Sequence, residues 1–361
     1  MTHRWFEPIY HLERIPAWTE HLPGTGGHIG GDIEAFQVEE IPAYPAAGRG
    51  DHCFVFVEKR AMSTPGAITR LAQALDVPRG AIGYAGLKDT WAVTRQYLSI
   101  RDVEPNKAMR VKIKDLTVLS ARRHVNKLKM GHMKGNRFAI AIEPEADDAL
   151  DRAQRILDDV TRRGIANLYG PQRFGVKNRN VIEGIRILKG EVQIKDRRKA
   201  KFLLSSVQSM LFNQYMDAAM TSGYLDQIHP GDICRVGHRI FVAGEDELPT
   251  DAAPTGPLFG PRMPHPGLDT QARTFEDDVL TRSELDPDLF GSMGRLTRGG
   301  RRDALVYPTD VSCHMEGARL IVQFTLPSGS YATVLVHEIL KVPFSRIRPR
   351  PRSEEDDRPP R

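Results

Sequence analysis

The chain's 361 residues exceed one ordinary domain and suit two, and its 40 % hydrophobic content is enough for real cores. Mean hydropathy of −0.40, and no run near the ~18 apolar residues that span a bilayer, argue for a soluble protein without membrane partners. Net charge of +5 and a pI of about 9.1 are modest, but basic residues cluster at Lys107–Lys114, Arg122–Arg137, Lys195–Lys201 and Arg295–Arg302. Such clusters suit a surface that follows phosphates, and equally suit solvated faces balanced by acids elsewhere.

The first thirty or so residues are polar and end in PGTGGHIGGD. This glycine cluster lacks both the Lys-Ser/Thr of a phosphate loop and the spacing of a dinucleotide fold, so it predicts a plain loop and no nucleotide cofactor. The start of the chain shows no charged-then-apolar export pattern, which predicts a cytoplasmic protein. HCFVFVEK (52–59), RQYLSI (95–100), MRVKIKDLTVL (109–119) and NRFAIAIE (136–143) read as strands. Thr64 followed by Pro65 reads as an N-cap and first helical residue before AITRLAQAL. A second helix covers DALDRAQRILDDVTRR and stops at Gly164.

NLYGPQRFG (167–175) then reads as a loop, and residues 196–222 as a basic helix with one buried face, closing at Gly223. GDICRVGHRIFVAGED predicts a hairpin, and strand patterns resume at DALVYP, ARLIVQFTLP and YATVLVHEIL. This predicts a discontinuous first domain, 1–164 with 307–345, around an inserted domain at 165–306. The Pro-rich, charged end, 346–361, predicts a disordered tail or a basic arm touching RNA. Cys53, Cys234 and Cys313 form no CxxC pair, and the twelve histidines show no ligand spacing, so neither disulfides nor a metal site are expected.

The most informative segment is GYAGLKDTWAVTRQYLSI, Gly83–Ile100. Its small residues permit a tight turn, and Lys88 and Asp89 come directly after. A carboxylate so placed, with a cation beside it, is a candidate for chemistry, although an Asp after a glycine turn serves equally as a cap or turn residue.

This segment resembles the signature of the TruD family of tRNA pseudouridine synthases, an Ala-Gly-x-Lys-Asp turn followed by Ala-x-Thr-x-Gln. Ala85, Gly86, Lys88, Asp89, Ala92, Thr94 and Gln96 match it. FQVEEIP, GHMKGNRFAIAI, NLYGPQRFG, SSVQSMLFN, GPLFGPRM and FTLPSGSYATVLVHEIL are similar in the same order, over roughly Phe36–Leu340. The resemblance implies an α+β fold: a pseudouridine synthase domain on a mixed, largely antiparallel sheet flanked by helices, with an inserted α/β domain, the two forming a V around RNA. It implies an isomerase that needs no cofactor and acts on tRNA in bacteria at the uridine of position thirteen. A non-catalytic RNA-binding protein or RNA chaperone is the alternative, and a monomer is expected.

The resemblance places the catalytic carboxylate on Asp89 and substrate contacts on Phe36, Lys88, Asn136, Phe138 and Tyr331. Tyr331 stands where relatives also have Phe. Gln172, Arg173 and Lys59 are candidate supports for the site or the RNA. These residue types suit the reaction. A uracil that leaves C1′ and reattaches through C5 must be flipped into a pocket, where aromatic faces replace lost stacking. Asn136 offers both a donor and an acceptor. On their residue types alone, Phe36, Phe138 and Tyr331 read equally as core aromatics, and Asn136 as a turn residue after Gly135. The cation expected to hold Asp89 ionised is Lys88, or more weakly Arg173.

Overall fold

The computed structural model describes residues 17–244 and 248–347. The chain runs β1 (His28–Ile29), β2 (Phe36–Pro42), β3 (His52–Arg60), α1 (Thr64–Leu75), β4 (Ile82–Tyr84), β5 (Val93–Arg101), α2 (Pro105–Met109), β6 (Leu116–His124), β7 (Met133–Glu143) and α3 (Ala149–Arg163). Then come β8 (Ile165–Ala166), α4 (Arg179–Leu188), α5 (Arg197–Thr221), β9 (Ile233–Val236), β10 (Arg239–Val242), β11 (Ala253–Leu258), α6 (Gln271–Ser283), α7 (Pro287–Ser292), β12 (Gly300–Asp303) and β13 (Leu305–Val306). The last elements are β14 (Thr309–Glu316), β15 (Arg319–Pro327) and α8 (Ala332–Leu340).

Contacts divide the chain into two units. The first holds Leu22–Thr161, Pro308–Ala332 and residues 346–347; the second holds residues 17–21, Arg162–Tyr307 and Thr333–Ser345. The segment 333–345, read from sequence with the first domain, thus clusters with the second unit. Among the described residues no helix is long and apolar enough to cross a membrane.

The first unit is built on a mixed sheet in the order β14-β15-β7-β2-β5-β3-β6. β2 and β5 run parallel and the other pairs antiparallel. α1 covers one face with Ala67, Ile68, Leu71 and Leu75, packed among Val55, Val57, Leu98 and Ile100. Strand register decides which side chains can meet. Paired residues share a face, so Glu40↔Asn136, Val38↔Phe138, Asn136↔Leu326, Phe138↔Phe324, Lys59↔Thr94 and the parallel pair Val38↔Thr94 set all these side chains on one side of the sheet. Gly135, opposite Ile41 and Pro327, allows three strands to close here, since a Cβ on it would stand 2.3 Å from the Leu326 carbonyl oxygen.

The second unit carries a four-stranded sheet, β10-β9-β11-β12, and a small β13-β8 pair. α5 is its central helix. The sequence suggested one buried face, but between Leu203 and Met216 burial extends around most of its circumference. α4 lies against it closely enough that a Cβ on Gly184 would meet the Leu203 carbonyl at 2.4 Å. Glu276 and Arg301 form a fully buried ion pair (2.5 Å), whose guanidinium also donates to Thr255 Oγ1 and its carbonyl.

Several expectations are corrected. YATVLVHEIL is not a strand: from Ala332 to Leu340 it is helix α8, buried on every side. Without a polar face, its apolar run gives no period to distinguish helix from strand. MRVKIKDLTVL is a strand only from Leu116, because Pro105 starts α2 and the Val-Lys-Ile-Lys stretch forms a turn through Asp115 at φ 62°. The cap of α1 is Ser63, whose Oγ accepts from Gly66 N; Thr64 is already helical. α3 and α5 end before Gly164 and Gly223 as expected, both at positive φ. The three cysteines are free thiols. The charged tail lies outside the described residues from 348 onward, while Ile347 at its start is buried.

Candidate active site

β2 and β4 share one edge of β5. Val93–Arg95 pair with β2, and Leu98–Ile100 pair with β4. Between these pairings the Tyr97 N–H lacks a strand partner, and the Glu40 carboxylate accepts it (3.3 Å). The segment between β4 and β5, residues 85–92, carries Lys88 and Asp89 and is irregular. It is pinned at several places. Gly131 N donates to Ala85 O and Ala61 N to Ala92 O, while Lys88 N donates to Thr64 Oγ1 (3.0 Å), which itself donates to Gln96 Oε1 (2.9 Å). The matched Gln96 therefore holds α1 and the loop together from inside the sheet.

Lys88 turns inward. Its Nζ lies 2.8 Å from Glu40 Oε2, off the ideal hydrogen-bonding direction, and both side chains are almost wholly buried. It also donates to Asn136 Oδ1 at 2.7 Å. An ammonium has no lone pair, so the oxygen of Asn136 must face it, which leaves the amide N–H groups as donors on the other side. Among the described residues they have no protein partner.

Asp89, the next residue, is exposed. Much of the residue is open to solvent, yet protein surrounds the carboxyl closely enough that desolvation is the largest influence and raises its pKa above the ordinary 3.8. Lys59 opposes this most strongly, followed by Asp89's own backbone N–H and then Lys88. Lys59 is fully buried and donates to the carbonyls of Asp89 (2.9 Å) and Met62. Burial, with a smaller push from Lys88, brings its pKa down from 10.5 to about 8 against the pull of Asp89. The leading cation for Asp89 is thus Lys59 rather than the sequence neighbour Lys88, because Lys88 is engaged by Glu40. The site holds two lysines and two carboxylates, a balanced set in which Asp89 is the accessible member.

Phe36 and Phe138 meet edge to face with centroids 6.3 Å apart, and Phe138 stacks on Phe324 at 5.2 Å. Phe36 and Phe138 are only 3 % and 6 % exposed. In this structure they act as core aromatics beside the site. Tyr331 is half-buried and follows the turn after β15, whose Leu326 pairs with Asn136. The structure therefore brings Lys59, Lys88, Asn136 and Asp89 together, with Phe36 and Phe138 on the same sheet face. Gln172 and Arg173 lie in the second unit. There Gln172 is exposed, and Arg173 donates to Ser205 Oγ (2.6 Å) and Ser209 Oγ (3.1 Å).

Sequence reasoning missed Glu40, Thr64 and Phe324. Glu40 had a usable signal: in FQVEEIP it occupies the phase of Phe36 and Val38, a charge where alternation calls for an apolar residue.

A pinned loop presenting one perturbed carboxylate beside a buried lysine, over a mixed sheet, defines an α+β enzyme-like centre. Comparison with known proteins narrows it. The family model described as tRNA pseudouridine synthase D (TruD) matches residues 14–194 and 195–339. A tRNA pseudouridine synthase D of Thermus thermophilus is 37 % identical over 342 residues, covering 92 % of this chain and 94 % of that protein. One from Anaeromyxobacter is 36 % identical over 343 residues, covering 90 % and 96 %. The crystal structure of a putative tRNA pseudouridine synthase D from Methanosarcina mazei shares the fold, with a TM-score of 0.74 at 20 % identity over 94 % of this chain and 99 % of that one. The chain belongs to the TruD family.

Proposed function

We propose that this protein isomerises uridine to pseudouridine in tRNA, at position thirteen, with Asp89 as the catalytic carboxylate. The observation that carries the reading is Asp89 itself, an accessible carboxylate on a pinned loop with a buried ammonium beside it. Its relatives' names and the matched Ala-Gly-x-Lys-Asp segment supply the reaction.

In the reaction the N1–C1′ bond breaks, C5 joins C1′, the C5 proton leaves and N1 gains one. Atoms and charge balance without an external reagent. Asp89 acts at C1′ or C6 of the flipped nucleotide, or takes the C2′ proton; each role requires its ionised form. Lys59 keeps that form populated despite desolvation. Asn136, its oxygen held by Lys88, presents N–H donors to a uracil carbonyl or ribose oxygen. Pinning of residues 85–92 fixes these groups before substrate arrives, so little reorganisation remains for the transition state. Phe36 and Phe138 back the site from the core, and Tyr331, half-buried after the turn that follows β15, is the ring offered to the base. The second unit, with its basic helix α5, holds the RNA by shape and phosphate contacts.

The test is incubation of purified protein with unmodified tRNA transcripts and chemical mapping of pseudouridine. Wild type should modify position thirteen. Asp89→Asn should abolish the product and leave tRNA affinity within a few-fold. Full activity in that variant would remove Asp89 from its role, and a product at another position would refute the site assignment alone.

A further inference from the structure

We propose that Arg173 and Phe202, in the second unit, form a binding site for one RNA phosphodiester and the unstacked base next to it. This rests on the tRNA reading and adds a place where the RNA is held.

Arg173 is half-buried and firmly placed. Its Nη2 donates to Ser205 Oγ and its Nε to Ser209 Oγ. The guanidinium carbon lies 5.2 Å from the Phe202 ring centroid and 5.8 Å from that of Tyr169, within cation–π range. Its own carbonyl accepts from Asn180 Nδ2 and Ser206 Oγ, so the backbone beneath it is fixed too. All of these partners are neutral. Among the described residues Arg173 forms no carboxylate ion pair, unlike Arg95, Arg235, Arg301 and Arg319, each of which faces an acid. A cation removed from much of its water and left without a counter-charge is costly unless an anion arrives. A planar fork held rigidly by hydroxyls and rings suits bidentate capture of phosphate oxygens.

The neighbouring surface continues the argument. Arg198, Lys201, Phe202, Ser205 and Ser209 lie along one stripe of α5, each three or four residues from another member. Arg198 and Lys201 are exposed and, among the described residues, also lack a carboxylate partner. Phe202 is 44 % exposed, unusual for a phenylalanine on a helix whose centre is buried. A phosphate on Arg173 would bring the adjacent base towards that ring, and the polyanion's next charges towards Arg198 and Lys201. A purely structural Arg173 would explain the serine bonds, but neither the missing counter-ion nor the exposed ring.

The experiment is equilibrium binding of an unmodified tRNA transcript over a salt series, with folding checked by thermal melting. Arg173→Met should weaken binding about tenfold and reduce the slope of log affinity against log salt by about 0.7–0.9, one lost phosphate contact. Arg173→Lys should restore the slope but not the full affinity. Phe202→Ala should weaken binding roughly tenfold with the slope unchanged. If Arg173→Met does not fold, the exposed pair Arg198→Gln and Lys201→Gln carries the test, with an expected slope reduction of about 1.5. Variants that fold, modify tRNA and bind it with wild-type affinity and slope would overturn this site while leaving the proposed function intact. A wild-type protein that neither binds nor modifies tRNA would overturn both.

Discussion

Replacing Lys59 with Met separates the proposed catalytic use of a buried ammonium from its structural cost. Burial brings the lysine from 10.5 to about 8, a penalty on the charged form on the order of 3 kcal/mol. Met removes that penalty and fills similar volume, but leaves the Asp89 and Met62 carbonyls without their donor, at about 1–3 kcal/mol each. These effects oppose one another, so Lys59→Met should unfold in urea within about 3 kcal/mol of wild type. Activity should respond very differently. Desolvation raises Asp89, and Lys59 is its strongest opponent. Without Lys59 the acid limb of single-turnover pseudouridine formation should move up by about one to three pH units, the usual effect of one nearby opposite charge. As pH rises past about 8, where Lys59 loses its proton, wild type and variant should converge in rate, since a neutral lysine no longer favours the carboxylate. The stability sign comes from the same group. Between about 8 and 10.5 the unfolded chain binds the Lys59 proton and the folded chain does not, so on this account wild-type stability rises with pH across that window. Lys59→Met should be flat there. A folded variant whose acid limb stays in place would refute the assignment of Lys59 as the cation that keeps Asp89 ionised.

Glu40→Gln should cost about 3–5 kcal/mol in denaturant unfolding, because Lys88 is left charged and buried without its partner. Adding Lys88→Met should recover much of that stability but not turnover, since Asn136 then loses the group that orients it. Phe36→Ala should destabilise by about 3–5 kcal/mol, as expected of a residue 3 % exposed, whereas Phe36→Leu should fold and reveal in its single-turnover rate whether the ring itself is used. In the second unit, Glu276→Ala should cost about 3–5 kcal/mol by stranding the buried Arg301 guanidinium, measured by urea unfolding; an unchanged midpoint would show that water reaches the pair.

The strands that alternate or carry β-branched and aromatic runs were legible, as were helices ended by Gly164 and Gly223. α8 was not, because a helix buried all round has no polar stripe to reveal its period. Asp89 was singled out through its motif, whereas Lys59 entered only among the candidate supports and its place beside Asp89 could not be read. Lys59 and Asp89 are thirty residues apart in sequence, joined only because the end of β3 and the 85–92 segment return to one place. Adjacency in sequence instead favoured Lys88, which the pairing of β2 with β7 delivers to Glu40 and Asn136. Rings on an alternating strand face could not be assigned to core or ligand by pattern alone, and burial placed Phe36 and Phe138 in the core.

The pairing of β7 with β15 also sets a timetable for synthesis. Asn136 and Phe138 find their cross-strand neighbours, Leu326 and Phe324, nearly two hundred residues later. A nascent chain therefore extrudes most of the second unit, Arg162–Tyr307, while one edge of β7 still waits, its N–H and C=O groups unpaired. Loop closure over that span is slow unless the intervening stretch first draws its own ends together, as the β8–β13 pair does at residues 165–166 and 305–306. That two-stranded ribbon thus acts as the clasp that returns β14 and β15 to a sheet begun long before.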